Sequence, residues 1–221
     1  MVHVRRRSVP AAEPARDDVV TNPMTESSLI ETARQWVIQK YPYNNYHLLN
    51  SLEWLDRIAP DATAAMRLAT LTHDMERAFP GPDQPIARTF DDAQYYAAHS
   101  ARSARIVGAW LREQGATEDL AREVETLIHV HEIGGSPQAD LVQAADSLSF
   151  LETNVDLFLN MIRSGKRSVD EVRVKFDLML DRIRIPHLRE LALPLRERAN
   201  ARLARLAVES APSPTPGSKP S

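Results

Sequence analysis

From residue 26 to residue 207 apolar side chains recur at helical spacing, and nothing else in the chain competes with that pattern. A stripe of apolar positions three and four apart must be buried against another such stripe. The whole chain has only 7 Gly, and runs rich in Val, Ile, Thr or aromatics are few, which argues against a sheet. The expected fold class is all-α, a single helical bundle domain. Helices are expected over 26–40, 46–59, 62–78, 91–115, 117–133, 138–164, 168–184 and 187–207. Pro42, Pro60-Asp61, Pro80-Gly81-Pro82, Gly115, Gly134-Gly135 and Gly165 separate most of them. Asp61 and Ser168 read as N-caps, and Pro194 as a kink or break in the last helix. The proline-rich stretch 79–90 reads as a loop beside the site.

Residues 1–24 and 209–221 carry prolines and polar residues without apolar periodicity. They read as disordered tails flanking a domain over 25–208. Met24 opens the first helical segment and reads as the native start, with an upstream extension before it. Arg5, Arg6 and Arg7 have no apolar stretch behind them, so the beginning is no secretory signal. A formal charge of −3 gives no support for binding a nucleic acid polymer. No apolar run reaches the length of a membrane span, so no membrane partner is expected. The chain has no Cys, so any bound metal must be held by nitrogen and oxygen. That composition fits a cytoplasmic location.

The ionisable residues on the apolar stripes carry the chemistry. His47 lines up with Trp54, Leu55 and Ile58, and His99 with Tyr95, Tyr96, Ile106 and Trp110. His131 lines up with Val124, Leu127 and Ile128, whereas His129 falls with Arg122 and Glu125 on the wetter face. Asp146 lies between Val142 and Phe150 at four-residue spacing, and Asp74 directly follows His73. One inward His is ordinarily a hydrogen-bonded core residue. Several inward His together with two inward Asp are costly to bury unless something shared satisfies them, and a metal ion does so most cheaply. Imidazole and carboxylate together suit Mn, Fe, Co, Ni or Zn.

A His, then a His-Asp doublet, then a distant Asp, all on helices, resembles the HD superfamily of metal-dependent phosphohydrolases. Here these are His47 in Tyr-His-Leu-Leu-Asn, His73-Asp74 in Leu-Thr-His-Asp-Met-Glu-Arg, and Asp146 in Ala-Ala-Asp-Ser-Leu. His99 and His131 match the two extra His of the dinuclear members. The resemblance covers about residues 44–155 and implies an HD-type bundle holding one or two divalent transition metal ions. It implies that His47, His73 and Asp146 hold one ion, His99 and His131 the other, and that Asp74 bridges them. The implied activity is hydrolysis of a phosphorylated small molecule, a nucleotide or dinucleotide, by metal-activated water. Alternatives are a mixed-valent di-iron oxygenase, which shares the six-ligand pattern, and a non-catalytic nucleotide-sensing module. No Gly-Tyr-Pro signature is present, so the HD-GYP phosphodiesterases are excluded.

Further residues are weighed against plain surface roles. Glu76 is a candidate catalytic or supporting carboxylate beside Asp74, against a surface pair with Arg77. Arg102, Lys175 and Arg182 are candidate phosphate contacts, against a solvated helix face. Tyr41, Tyr43 and Tyr46 could wall a pocket. A homodimer is allowed by the sequence.

Overall fold

The computed structural model describes residues 25–209, and among them every regular element is helical. The order is α1 (Glu26–Lys40), α2 (Asn45–Ile58), α3 (Ala64–Thr72), a short 3-10 turn (Met75–Ala78), α4 (Ala93–Glu113) and α5 (Glu118–Val130). Then follow α6 (Pro137–Thr153), α7 (Val155–Arg163), α8 (Val169–Asp181) and α9 (Pro186–Glu209). None of the described helices is long and apolar enough to cross a membrane. The tails at 1–24 and 210–221 lie outside the described residues.

Local chemistry explains most starts. Thr25, Thr63, Asp92, Thr117, Ser136 and Ser168 each accept a hydrogen bond from a first-turn backbone N–H of their helix. Ser168 and Glu171 complete a capping box on α8. At α3 the cap is Thr63, not Asp61, because the chain is still in a turn at Asp61.

Three other expectations need correcting. The segment 62–78 is not one helix: α3 stops at Thr72 and a 3-10 turn follows. The segment 138–164 divides at Asn154 into α6 and α7. Pro194 breaks nothing, and α9 runs through it. Pro194 and Glu190, whose carbonyl loses its helical donor, are both exposed, so water can take that donor's place. The packing stripe of α9, from Leu188 through Ala192, Leu195, Ala199 and Leu203 to Leu206, runs on the other side.

Two apolar clusters make the core. One is built mainly from α1 to α5, with Leu48, Leu52, Leu68, Leu71 and Ile128 fully enclosed. The other is built from α6 to α9 around Phe176, Leu148 and Leu188. Helix α6 contributes to both, packing on α2 from one side and on α8 and α9 from the other. The residues expected to carry chemistry lie where those two clusters meet.

Candidate metal centre

Each site histidine is placed by the end or the face of a helix. His47 sits in the first turn of α2 and His99 on the buried face of α4. His73 is the C-cap of α3, and His131 the C-cap of α5. At both C-caps the imidazole Nδ1–H donates to the carbonyl three residues back, Thr70 O at 2.8 Å and Ile128 O at 2.7 Å. Those carbonyls belong to the last helical turn, where acceptors are left over, although Ile128 O also takes the His131 backbone N–H at 3.3 Å. In both places an acidic residue comes next, Asp74 after His73 and Glu132 after His131. An ideal helix would point the two members of each doublet about 100° apart. Ending the helix lets both turn toward one centre. After α5 the exit is made by Gly134 and Gly135, at φ 67° and 114°. A side chain at Gly134 would also collide with Asp140, whose carboxylate accepts from the Gly135 N–H.

The four imidazoles form a row. Ring centroids are 5.5 Å apart from His47 to His73, 5.0 Å from His73 to His131 and 5.5 Å from His131 to His99. All four rings are buried. Their tautomers follow from their partners. His73 and His131 give Nδ1–H to carbonyls, and His99 gives it to the Glu76 carboxylate at 3.0 Å. His47 Nδ1 lies 3.0 Å from Ser149 Oγ, whose own proton goes to the His47 carbonyl at 2.8 Å. So Ser149 accepts, and His47 Nδ1 donates as well.

Every Nε2 is therefore left facing the centre. Those of His73, His99 and His131 are buried and have no hydrogen-bond partner. Each nevertheless has a carboxylate oxygen close by: Asp146 Oδ1 3.4 Å from His73, Asp74 Oδ1 3.0 Å from His99, and Glu132 Oε1 3.6 Å from His131. Asp146 Oδ1 also lies 3.1 Å from His47 Nε2. A neutral imidazole here sets a lone pair against a carboxylate, a clash that a proton on Nε2 or a metal cation between them relieves. Three overlapping donor groups have all their ligand atoms within 4.8 Å of one another: His47, His73 and Asp146; His73, Asp74 and His131; His99, His131 and Glu132. Metal–nitrogen and metal–oxygen bonds of ~2.1 Å can bridge such spacings. The donor set thus fits a divalent transition metal.

The electrostatics agree with this division. Burial works against charge on His73, but the Asp146 carboxylate outweighs it and pushes His73 up to about 9. Burial lowers His131, and Glu132, the carboxylate that opposes it, is itself paired with Arg182. Asp74 resists burial through the Arg77 guanidinium and stays well below the usual carboxylate range. Asp146 does so chiefly through Arg182. Arg182 bonds Asp146 Oδ2 and Glu132 Oε2, and leaves Oδ1 and Oε1 turned to the imidazoles.

The centre opens into a cavity of about 550 Å³. Lys175 and Arg182 line it, and so do Tyr41, Tyr43 and the 84–90 part of the connecting loop. Neither Lys175 nor Arg182 is on a solvated face. Lys175 Nζ bonds Tyr96 Oη at 3.1 Å and sits 5.1 and 5.2 Å from the ring centres of Tyr96 and Phe150. Burial pulls its ammonium down to about 8. Tyr46 is 66% exposed and away from the cavity.

Arg102 corrects the expectation of a phosphate contact. It is buried, lines none of this cavity, and bonds Glu76 Oε2, the Glu76 and Phe79 carbonyls and Asp83. Glu76 is no surface partner of Arg77. It is 1% exposed and held between His99 Nδ1 and Arg102. His129 is exposed, as its helical phase requires. Sequence reasoning missed Glu132, Arg77 and Ser149. For Glu132 a signal existed, since it follows His131 as Asp74 follows His73. Ser149 carries no signal of its own, being one serine on a long apolar helix.

Residues 27–198 match the model of a family described as a domain of unknown function, DUF4202. No curated protein and no solved structure matches the chain.

Proposed function

The chain belongs to the DUF4202 family, so its activity has to be read from this site, and we propose that it is a metal-dependent phosphohydrolase acting on a phosphorylated small molecule. The observation that carries the reading is the convergence of four buried Nε2 atoms with Asp74 and Asp146, three of those nitrogens having no partner. The ligand order, His47, His73-Asp74, His99, His131 and Asp146, resembles that of the dinuclear HD phosphohydrolases. One or two divalent ions held there would polarise a phosphoryl oxygen and lower the pKa of a water to near neutrality. Glu132 is a further ligand candidate beside His99 and His131.

Charge favours an anionic substrate. Arg77 already pairs with Asp74, Arg102 with Glu76, and Arg182 with Asp146 and Glu132. These three guanidiniums offset three of the four carboxylate charges of the centre before any ion enters. Each divalent ion then adds uncompensated positive charge in a low-dielectric cavity, which a phosphate group neutralises. Lys175 and Arg182 line the cavity and would orient phosphoryl oxygens. Asp74 would orient the attacking water, and Glu76, which lines the cavity and accepts from His99 Nδ1–H, would keep that imidazole's Nε2 free for an ion.

Metal analysis followed by a phosphatase panel tests the reading. Purified protein should carry one to two equivalents of Mn, Fe, Co, Ni or Zn, and His73→Ala or Asp74→Ala should lose most of it. Full metal occupancy in both variants would sink the site. A loaded protein that takes up oxygen and hydrolyses no phosphate ester would instead be an oxygenase.

A further inference from the structure

The cavity extends past the groups that would hold a phosphoryl end. Its volume is about 550 Å³, whereas a water takes ~30 Å³, so a phosphate leaves room for about a dozen more heavy atoms. One stretch of the remaining wall is apolar. Phe150 stands edge-on to His47 at 6.4 Å, Phe158 follows at 5.0 Å from Phe150, and Phe90 at 5.4 Å from Phe158. Met161 and Met179 line the same space. Asn154 lies among them, one turn after Phe150 and one turn before Phe158 along α6 and α7.

Asn154 is out of character for its position. It is the N-cap of α7, where an Asn side chain ordinarily accepts a bond from the first turn. Here it makes no such bond. It is 5% exposed, it lines the cavity, and its Oδ1 is buried without any partner. A buried carbonyl left unsatisfied costs about 1–3 kcal/mol. A ligand that brings an N–H or O–H removes that cost.

We propose that this compartment binds an aromatic ring attached to the phosphoryl end of the substrate, and that Asn154 Oδ1 accepts a hydrogen bond from a donor on that ring. The phosphoryl part rests on the phosphohydrolase reading above; the ring and its donor rest on Asn154 and the phenyl wall. Phenyl edges and thioethers favour a flat ring. A sugar phosphate would lay its hydroxyls against the phenyl and thioether stretch, where Asn154 is the one amide, so it is disfavoured there.

Calorimetric titration of the metal-loaded full chain tests this without relying on turnover. The probes are methylphosphonate, benzylphosphonate, 3- and 4-hydroxybenzylphosphonate, and 4-hydroxybenzyl alcohol. Benzylphosphonate should bind ~10-fold tighter than methylphosphonate, and one hydroxybenzyl isomer ~10-fold tighter again. The hydroxyl gain should survive Asn154→Asp and vanish in Asn154→Leu. Met161→Trp, which fills the compartment, should erase the benzyl gain and leave methylphosphonate affinity unchanged, so the proposal stays testable if Asn154→Leu does not fold. Equal affinity for methyl- and benzylphosphonate overturns the ring compartment. A hydroxyl gain absent from the wild type, or surviving in Asn154→Leu, overturns the role of Asn154. If 4-hydroxybenzyl alcohol binds with the Asn154 dependence and the phosphonates gain nothing over it, the compartment stands and the phosphoryl reading falls.

Discussion

Burial and the Asp146 carboxylate pull the His73 imidazole in opposite directions, and the carboxylate prevails, leaving it at about 9. A pKa raised above the unfolded ~6.5 stabilises the fold fully below pH ~6.5, and that contribution is lost as pH rises to about 9. Lys175 acts in the opposite sense. Its ammonium, brought down to about 8, makes the fold gain stability with pH above that value. Metal-free protein should therefore melt at progressively lower temperature from pH 6.5 to 8 and then level off. His73→Asn should remove the fall, and Lys175→Met should let it continue to about pH 9 instead of levelling off. A metal-free melting temperature that rises from pH 6.5 to 8 would contradict the pairing of His73 with Asp146. Metal competes with that proton, so loaded protein should show little of the slope. The two histidines at the end of α5 separate in metal content and turnover. His131→Ala should lose about one metal equivalent and orders of magnitude of turnover, and exposed His129→Ala should change neither. That distinction was legible in the sequence, because Val124, Leu127 and Ile128 fix the phase of the helix up to its last turn. Glu132 was not, since it lies past the point where the phase applies.

At the scale of elements, the stretch from α3 to α4 holds the site through one guanidinium. Arg102 ties the 3-10 turn to the loop behind it by bonding Glu76, the Phe79 carbonyl and Asp83. Arg102→Met should cost about 3 kcal/mol, because it strands the Glu76 carboxylate in the interior. It should also reduce metal content by loosening His99, whose Nδ1–H has Glu76 as its acceptor. Normal metal content and a near-native melting temperature in that variant would show that the network holds nothing. The capping box of α8 makes a smaller claim: Ser168→Ala should cost ~1 kcal/mol with activity retained. Helix existence was legible almost throughout, and Ser168 as a cap was too. Two ends were not. Periodicity carries 62–78 as one helix, because Met75 and Glu76 continue the buried pattern although the backbone has changed to a 3-10 turn. Asn154 divides α6 from α7 without Gly or Pro, so composition gives no sign of it.

Across the whole molecule, the candidate ligands come from both sides of the junction between the two apolar clusters. His47, His73, His99 and His131 belong to the α2–α5 side, whereas Asp146 is on α6 and its partner Arg182 caps the end of α8. A metal at 100 times its Kd adds ~2.7 kcal/mol of stability. In a domain of this size that is roughly 5–10 °C of melting temperature. Chelation should therefore lower the melting temperature by about that amount, with re-addition of metal restoring it; an unchanged transition would argue against a tightly held ion. Phe176→Ala, in the second cluster, should cost ~3–5 kcal/mol and leave the metal set intact. The placement of this junction depends on long-range packing, which periodicity leaves undetermined.

The imidazoles at the ends of α3 and α5 are pinned by the last carbonyls of their own helices. A ring fixed on one side by the helix and on the other by an ion makes the final helical turn part of the coordination. Such turns ordinarily fray, opening at little free-energy cost. Here, fraying would have to break a metal bond. Hydrogen–deuterium exchange at the backbone amides leading into His73 and His131 should then slow together when metal is added. These two short segments lie nearly sixty residues apart in the chain, yet each would report the same binding event.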